Sequence, residues 1–173
     1  MIKAFLITVF LALHSLAYSQ KTMDFGVLKK TDEQVLFSFR LKSNNKIAVL
    51  CRQKSNKYLV YRFGANSKIE LQYPAVLNAA SWKLFKYSGY SRGGGRGSVE
   101  EEHILSFTNN GAAYKIFDEY ASGFNDEGSV GILVKINGRQ TKLAGNIHSK
   151  TGTLGLLKDY ENLIHNNYWD EEH

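Results

Sequence analysis

Between Gln34 and Pro74 the chain repeats one pattern, a short run of apolar residues alternating with polar ones, then a polar turn, then another run. The runs are "QVLFSFRL", "KIAVLCR", "KYLVYRFG" and "SKIELQYP", and "KSNN", "QKSN" and "GANS" separate them. Successive side chains of a strand point to opposite faces, whereas a helix repeats every 3.6 residues, so this pattern demands sheet. Val35, Phe37 and Phe39 are expected on one face of the first strand, and the turns are short enough to join antiparallel neighbours. Pro74, the single proline, marks a strand end, because proline cannot donate to a ladder.

The same logic continues downstream. Ser81 to Tyr87 alternates and is expected as a fifth strand. "ILSFTNNGAAYKIFDEY" and "GSVGILVKINGRQTKLAG" each carry an Asn-Gly pair, Asn110-Gly111 and Asn137-Gly138, between alternating runs. Both central residues of a tight hairpin turn need positive φ, which Asn and Gly tolerate best. Leu156, Leu157, Tyr160, Leu163 and Ile164 fall at helical spacing, and "NYWDEEH" reads as an acidic tail. The expectation is an all-β fold: an antiparallel meander of 8–10 strands, closed as a barrel or packed as a sandwich, with a short C-terminal helix.

The N-terminus bears on compartment. Lys3 precedes the apolar core "AFLITVFLAL", and Ala17 and Ser19 are small residues before Gln20. This is the pattern of a cleaved secretory signal over residues 1–19, leaving 20–173 as a single β domain that is periplasmic or secreted. The apolar run is about half the roughly 20 residues a membrane span needs, so no stable membrane insertion is expected. One cysteine, Cys51, leaves no internal disulfide, and its place at the end of an apolar strand reads as a buried, inert thiol. The formal charge of +6 falls to +5 on loss of Lys3, and no Lys/Arg block exceeds a pair. That surplus suits mild attraction to acidic glycans, anionic lipid or an acidic protein, and lacks the basic stripe of a nucleic-acid binder.

"YSGYSRGGGRG", Tyr87 to Gly97, is the most unusual passage. A phosphate-binding loop needs glycines between a strand and a helix, with a Lys-Ser/Thr pair in the P-loop version. This stretch has neither, and Glu100 to Glu102 follow directly. Ser88 to Gly97 is expected as a long hairpin loop, with Ser88, Tyr90, Arg92 and Arg96 as its binding residues. Other chemistry is sparse. The histidines show no metal-ligand spacing, so neither metal nor cofactor is expected. His103 beside Glu102 is read first as an exposed residue at a strand start. Asp118 with Glu119, and Asp126 with Glu127, are read as solvated turns, although such pairs are also what a glycosidase uses. No nucleophile elbow appears, and the chain is not expected to be an enzyme. Tyr61 and Phe63 share one strand face and are candidates for an exposed aromatic surface.

"CRQKSNKYLVYRFGANSKIELQYP", "YSGYSRGGG" and "LSFTNNGAAYKIFDEY" together resemble a family of small exported proteins of Gram-negative bacteria that carries no assigned activity. More loosely, a cysteine, a Val-x-Tyr strand, an "IEL" strand and a Ser-Gly loop resemble the periplasmic and membrane-bound inhibitors of lysozyme. Those are small antiparallel barrels whose Ser-Gly-x-x-Tyr loop enters the lysozyme cleft and engages its catalytic carboxylates. Ser88-Gly89-Tyr90-Ser91 matches the first two positions, with the tyrosine at the third, and the inhibitors' second cysteine is absent.

These readings converge on an exported envelope binding protein that uses a Gly/Arg loop to contact a protein partner or a secreted hydrolase, with a glycan as a further candidate ligand. The alternatives are a secreted hydrolase acting on cell-wall or glycan substrates through Glu102/His103 or Asp118/Glu119, and a periplasmic immunity protein using the same loop.

Overall fold

In the computed structural model, residues 23–93, 99–122 and 127–171 are described. The expected signal segment, Arg96, Asp126 and the Glu127 side chain lie outside them. The described residues form ten strands: β1 Glu33–Leu41, β2 Ile47–Gln53, β3 Leu59–Ala65, β4 Lys68–Tyr73, β5 Lys86–Gly93, β6 Val99–Asn109, β7 Ala112–Ala121, β8 Glu127–Ile136, β9 Arg139–Gly152 and β10 His165–Glu171. They form one sheet in the order β10-β5-β6-β7-β8-β9-β1-β2-β3-β4. Two meanders, β1–β4 and β5–β9, are thus joined where β9 pairs antiparallel with β1. All neighbours are antiparallel except β10 and β5, which run parallel.

The sheet curls into a half-barrel. The curl brings β3 and β4 against β6 through aromatic side chains rather than a hydrogen-bonded ladder. Tyr73 of β4 stacks on Phe107 of β6 at 4.4 Å and meets Phe85 edge-on at 5.2 Å, and Tyr61 of β3 lies 5.3 Å from Phe107. The concave face holds the main core, including Phe37, Phe39, Leu50, Tyr61, Leu105, Ile116 and Ile132. Tyr61, expected on an exposed aromatic face, is therefore an interior residue, 1% exposed.

Turn chemistry agrees with the sequence in detail. Asn110 and Gly111 have φ of 49° and 77°, and Asn137 and Gly138 have 49° and 80°. Elsewhere tertiary packing overrides local pattern. A bulge between Val35 and Phe37 breaks the alternation of β1. Val35 therefore packs on the convex face while Phe37 and Phe39 remain in the main core.

Among the described residues, three 3-10 helices accompany the strands. Ala79–Leu84 replaces the first half of the expected fifth strand, because Asn78 and Ser81 form a reciprocal capping box there. Its Trp82 is buried, donates from Nε1 to the Asn56 carbonyl at 3.0 Å, and stacks on Tyr160 at 5.2 Å. Leu154–Tyr160 is the expected C-terminal helix, of 3-10 type and ending short of Leu163 and Ile164, and it buries Leu154 and Leu157. Asn167 to Glu171 of the expected acidic tail instead belong to β10.

The first 3-10 helix, Gly26–Leu28, lies on the convex side. Leu28 packs there with Ile47, Val49, Cys51 and Val60 as a second, smaller core. β2 is consequently buried on both faces, which explains the unbroken apolar run "IAVLC". Beside this core, Arg62 donates to both oxygens of Glu33 at 2.7 and 2.9 Å, to the Leu28 carbonyl at 3.0 Å and to Gln72 at 2.8 Å. The Tyr58 hydroxyl and the Lys30 amide also donate to Glu33. The result is a buried, fully hydrogen-bonded ion pair fastening the N-terminal segment to β3.

Candidate functional site

Strand parity decides which candidate residues meet. Ser88, Tyr90 and Arg92 lie within β5 rather than in a loop, because β5 extends to Gly93 with β6 on one side and β10 on the other. The expected loop is thereby shortened. Tyr87, between Lys86 and Ser88, is buried in the main core, so Ser88, Tyr90 and Arg92 take the opposite, convex face. Register sets Ser88 opposite Ile104, Tyr90 opposite Glu102, and Arg92 opposite Glu100. Ser88 and Tyr90 are half-buried and Arg92 is exposed. The strand is anchored through its main chain on both sides, so these three side chains form a fixed ladder. Its cationic end faces a carboxylate position across the strands.

The alternative catalytic pairs do not form. Glu102 and His103 are adjacent in β6, and Asp118 and Glu119 are adjacent in β7, so each pair is divided between the two faces of the sheet. Glu119 accepts from Ser129 on the convex face. His103 and Asp118 are register partners on the concave face. They are 6% and 2% exposed, which corrects the reading of an exposed histidine and a solvated turn.

Around these two residues a polar cluster closes the interior. The Tyr87 hydroxyl and His103 Nδ1 are hydrogen-bonded at 3.0 Å. Asp118 accepts from Lys150 Nζ at 2.5 Å, from Thr153 Oγ1 at 2.8 Å and from the Leu154 amide at 3.1 Å. Thr153 caps the Leu154–Tyr160 helix by accepting from the Gly155 amide. A Cβ added at Gly155 would stand 3.0 Å from His103 Nε2, so glycine there lets the helix close over the imidazole. Burial drives the His103 pKa below its ordinary value, against the opposing pull of Asp118 and Glu101. The cluster's chemistry is that of a helix anchor: a carboxylate receiving three donors, and a neutral imidazole tied to a tyrosine.

Lys150 and Thr153 were invisible as partners of Asp118 in the sequence, being 32 and 35 residues away. Cys51 meets its expectation, since burial pushes its thiol up to about 12. Among the described residues, no three His, Cys, Asp or Glu side chains are grouped to hold a metal ion. No described helix is long and apolar enough to cross a membrane.

Comparisons with protein-family models, with curated proteins and with solved structures found no match. The resemblance to the exported family and to the lysozyme inhibitors is one of sequence motifs alone.

Proposed function

We propose that the chain is an exported envelope binding protein whose contact element is the end of the β5–β6 hairpin. The observation that carries this reading is the Ser88–Tyr90–Arg92 ladder on a strand held from both sides. A rigid backbone that presents an aromatic and a guanidinium in line loses little entropy on docking. Tyrosine and arginine are also the residues most enriched where interfaces concentrate their binding energy. In the lysozyme-inhibitor version, Tyr90 hydrogen-bonds within the partner's cleft and Arg92 and Arg96 pair with its carboxylates. An immunity protein would use the same surface against a toxin. The hydrolase reading loses support, because parity divides Glu102 from His103 and Asp118 from Glu119.

The test uses residues 20–173, wild type beside Arg92→Ala/Arg96→Ala. Each is immobilised and exposed to an envelope extract and a panel of lysozymes, with lysozyme activity on cell walls as a second readout. Binding or inhibition shown by wild type and lost in the variant supports the proposal. Equal capture by both proteins, or turnover of cell-wall substrate by the protein itself, overturns it.

A further inference from the structure

The convex face of β5–β9 carries a charge pattern that only the sheet register reveals. One row across the strands reads Lys86, Ser106, Lys115, Leu133, Lys142. Lys135, opposite Ala113 and Gln140 in the row beside it, stands diagonal to both Lys115 and Lys142. All four lysines are exposed. Their side is fixed by contact: Lys142 Nζ lies 4.8 Å above the Phe117 ring, and that ring covers Gly131 on the convex face. Neighbouring strands are about 4.8 Å apart, so Lys86, Lys115 and Lys142 recur on alternate strands roughly every 9.5 Å.

Acidic residues on this face are kept apart from that row. Moving along the strands, the next row is Ser88, Ile104, Phe117, Gly131 and Ala144, which carries no charge. Only the row beyond it holds Glu102 and Glu119. Four residues of strand separate Lys115 from Glu119, about 13 Å, which exceeds the roughly 8 Å Debye length at physiological salt.

We infer that this lysine row is a binding site for a linear acidic polysaccharide, one bearing carboxylate or sulfate groups, lying across the strands. A flexible polyanion follows the single basic row and stays beyond screening distance of Glu102 and Glu119. A membrane surface is planar and would bring both carboxylates against anionic headgroups together with the lysines. Single-stranded nucleic acid is disfavoured for another reason. Its binders add exposed aromatic stacking platforms to their basic grooves, and the aromatic nearest this row, Phe117, is 3% exposed. The row borders the Ser88–Tyr90–Arg92 ladder, Lys86 and Ser88 being two residues apart on one face of β5, but it shares no residue with that ladder and is tested by different substitutions.

The experiment compares wild-type residues 20–173 with Lys86→Glu/Lys115→Glu and with the control Lys54→Glu/Lys57→Glu. The control makes the same change of net charge at the exposed turn between β2 and β3, and the first variant leaves Lys142 over Phe117. Binding of a fluorescent heparin oligosaccharide is measured against salt, with circular dichroism confirming that each variant is folded. At about 1 kcal/mol for each lysine near an anionic surface, loss of two lysines weakens binding about thirty-fold, the two glutamates in their place weaken it further by repulsion, and the control changes it by less than about threefold. Equal weakening in both variants would show a diffuse charge effect and overturn the site. Equal or tighter binding of phosphatidylglycerol vesicles, or of single-stranded DNA, through the same lysines would overturn the choice of ligand.

Discussion

Replacing Arg62 by leucine tests whether the buried pair on the convex face is held as the structure implies. Arg62 and Glu33 side chains are 1% and 0% exposed. The arginine makes four hydrogen bonds, so the substitution strands a carboxylate together with the acceptors on Leu28 and Gln72. Removing one partner of a buried pair costs about 3–5 kcal/mol. At about 2–4 °C for each kcal/mol in a chain of this size, the melting temperature falls by about 6–20 °C.

The pH dependence identifies the cause. In wild type, burial opposes ionisation of Glu33, but its hydrogen bonds from Arg62, Lys30 and Tyr58 prevail and lower its pKa. A lowered folded-state pKa gives stability that is present above the ordinary glutamate value of about 4.3 and lost as pH falls through the folded value. In Arg62→Leu, burial is opposed only by the Lys30 and Tyr58 hydrogen bonds, and protonation at low pH relieves the charge left without its cation. Both effects narrow the stability gap between the two proteins in acid. Urea unfolding followed by tryptophan fluorescence, at about pH 7 and about pH 4, measures that gap. A gap that stays constant would refute the assignment to the Glu33 charge.

Three further outcomes are expected. His103 is held neutral by burial, so its lowered pKa gives stability that is present above about 6.5 and lost as pH falls towards the folded value; thermal melts from about pH 7.5 to 5.5 should fall more in wild type than in His103→Asn. A Cβ at Gly131 would lie 2.4 Å from the Phe117 ring and 2.7 Å from the Leu143 carbonyl, so Gly131→Ala should cost about 1–3 kcal/mol by chemical denaturation, whereas Gly93→Ala, with open space around it, should cost less than about 0.5. Cys51, buried and with its thiol pushed up to about 12, should react with a thiol reagent only at the rate of unfolding; rapid labelling of the native protein would contradict its burial.

Local features were legible in the sequence and relational ones were not. β1 to β4 and β6 to β9 lie on the period-two runs and Asn-Gly turns, both properties of adjacent residues, whereas most of β5 falls in the stretch read as a loop. Ser81 to Tyr87 misled because alternation is ambiguous over a short span, and the Asn78/Ser81 capping box settled the first part as helix. β10 was hidden because its parallel pairing with β5 is established by residues far apart in the chain. The candidate site followed the same division. Tyr90 and Arg92 were singled out by residue type, but their place within a strand depends on β6 and β10 extending alongside. The burial of His103 and Asp118 needed the Leu154–Tyr160 helix, and the lysine row exists only once four hairpin registers are known.

The junction between β9 and β1 has a consequence for the order in which the molecule is made. Arg40 donates its amide to Ser149, 109 residues away, and the two meanders meet along this line. A chain emerging N-terminus first can complete β1–β4 early through neighbouring turns, but one edge of β1 then waits for nearly the whole of the second meander. During that interval β1 offers unpaired amides and carbonyls beside Phe37 and Phe39, a template for another strand. Slow synthesis or export therefore lengthens exposure of the edge most prone to wrong pairing. Covering β1 early, with a chaperone or a peptide imitating β9, is the intervention expected to raise the yield of folded protein.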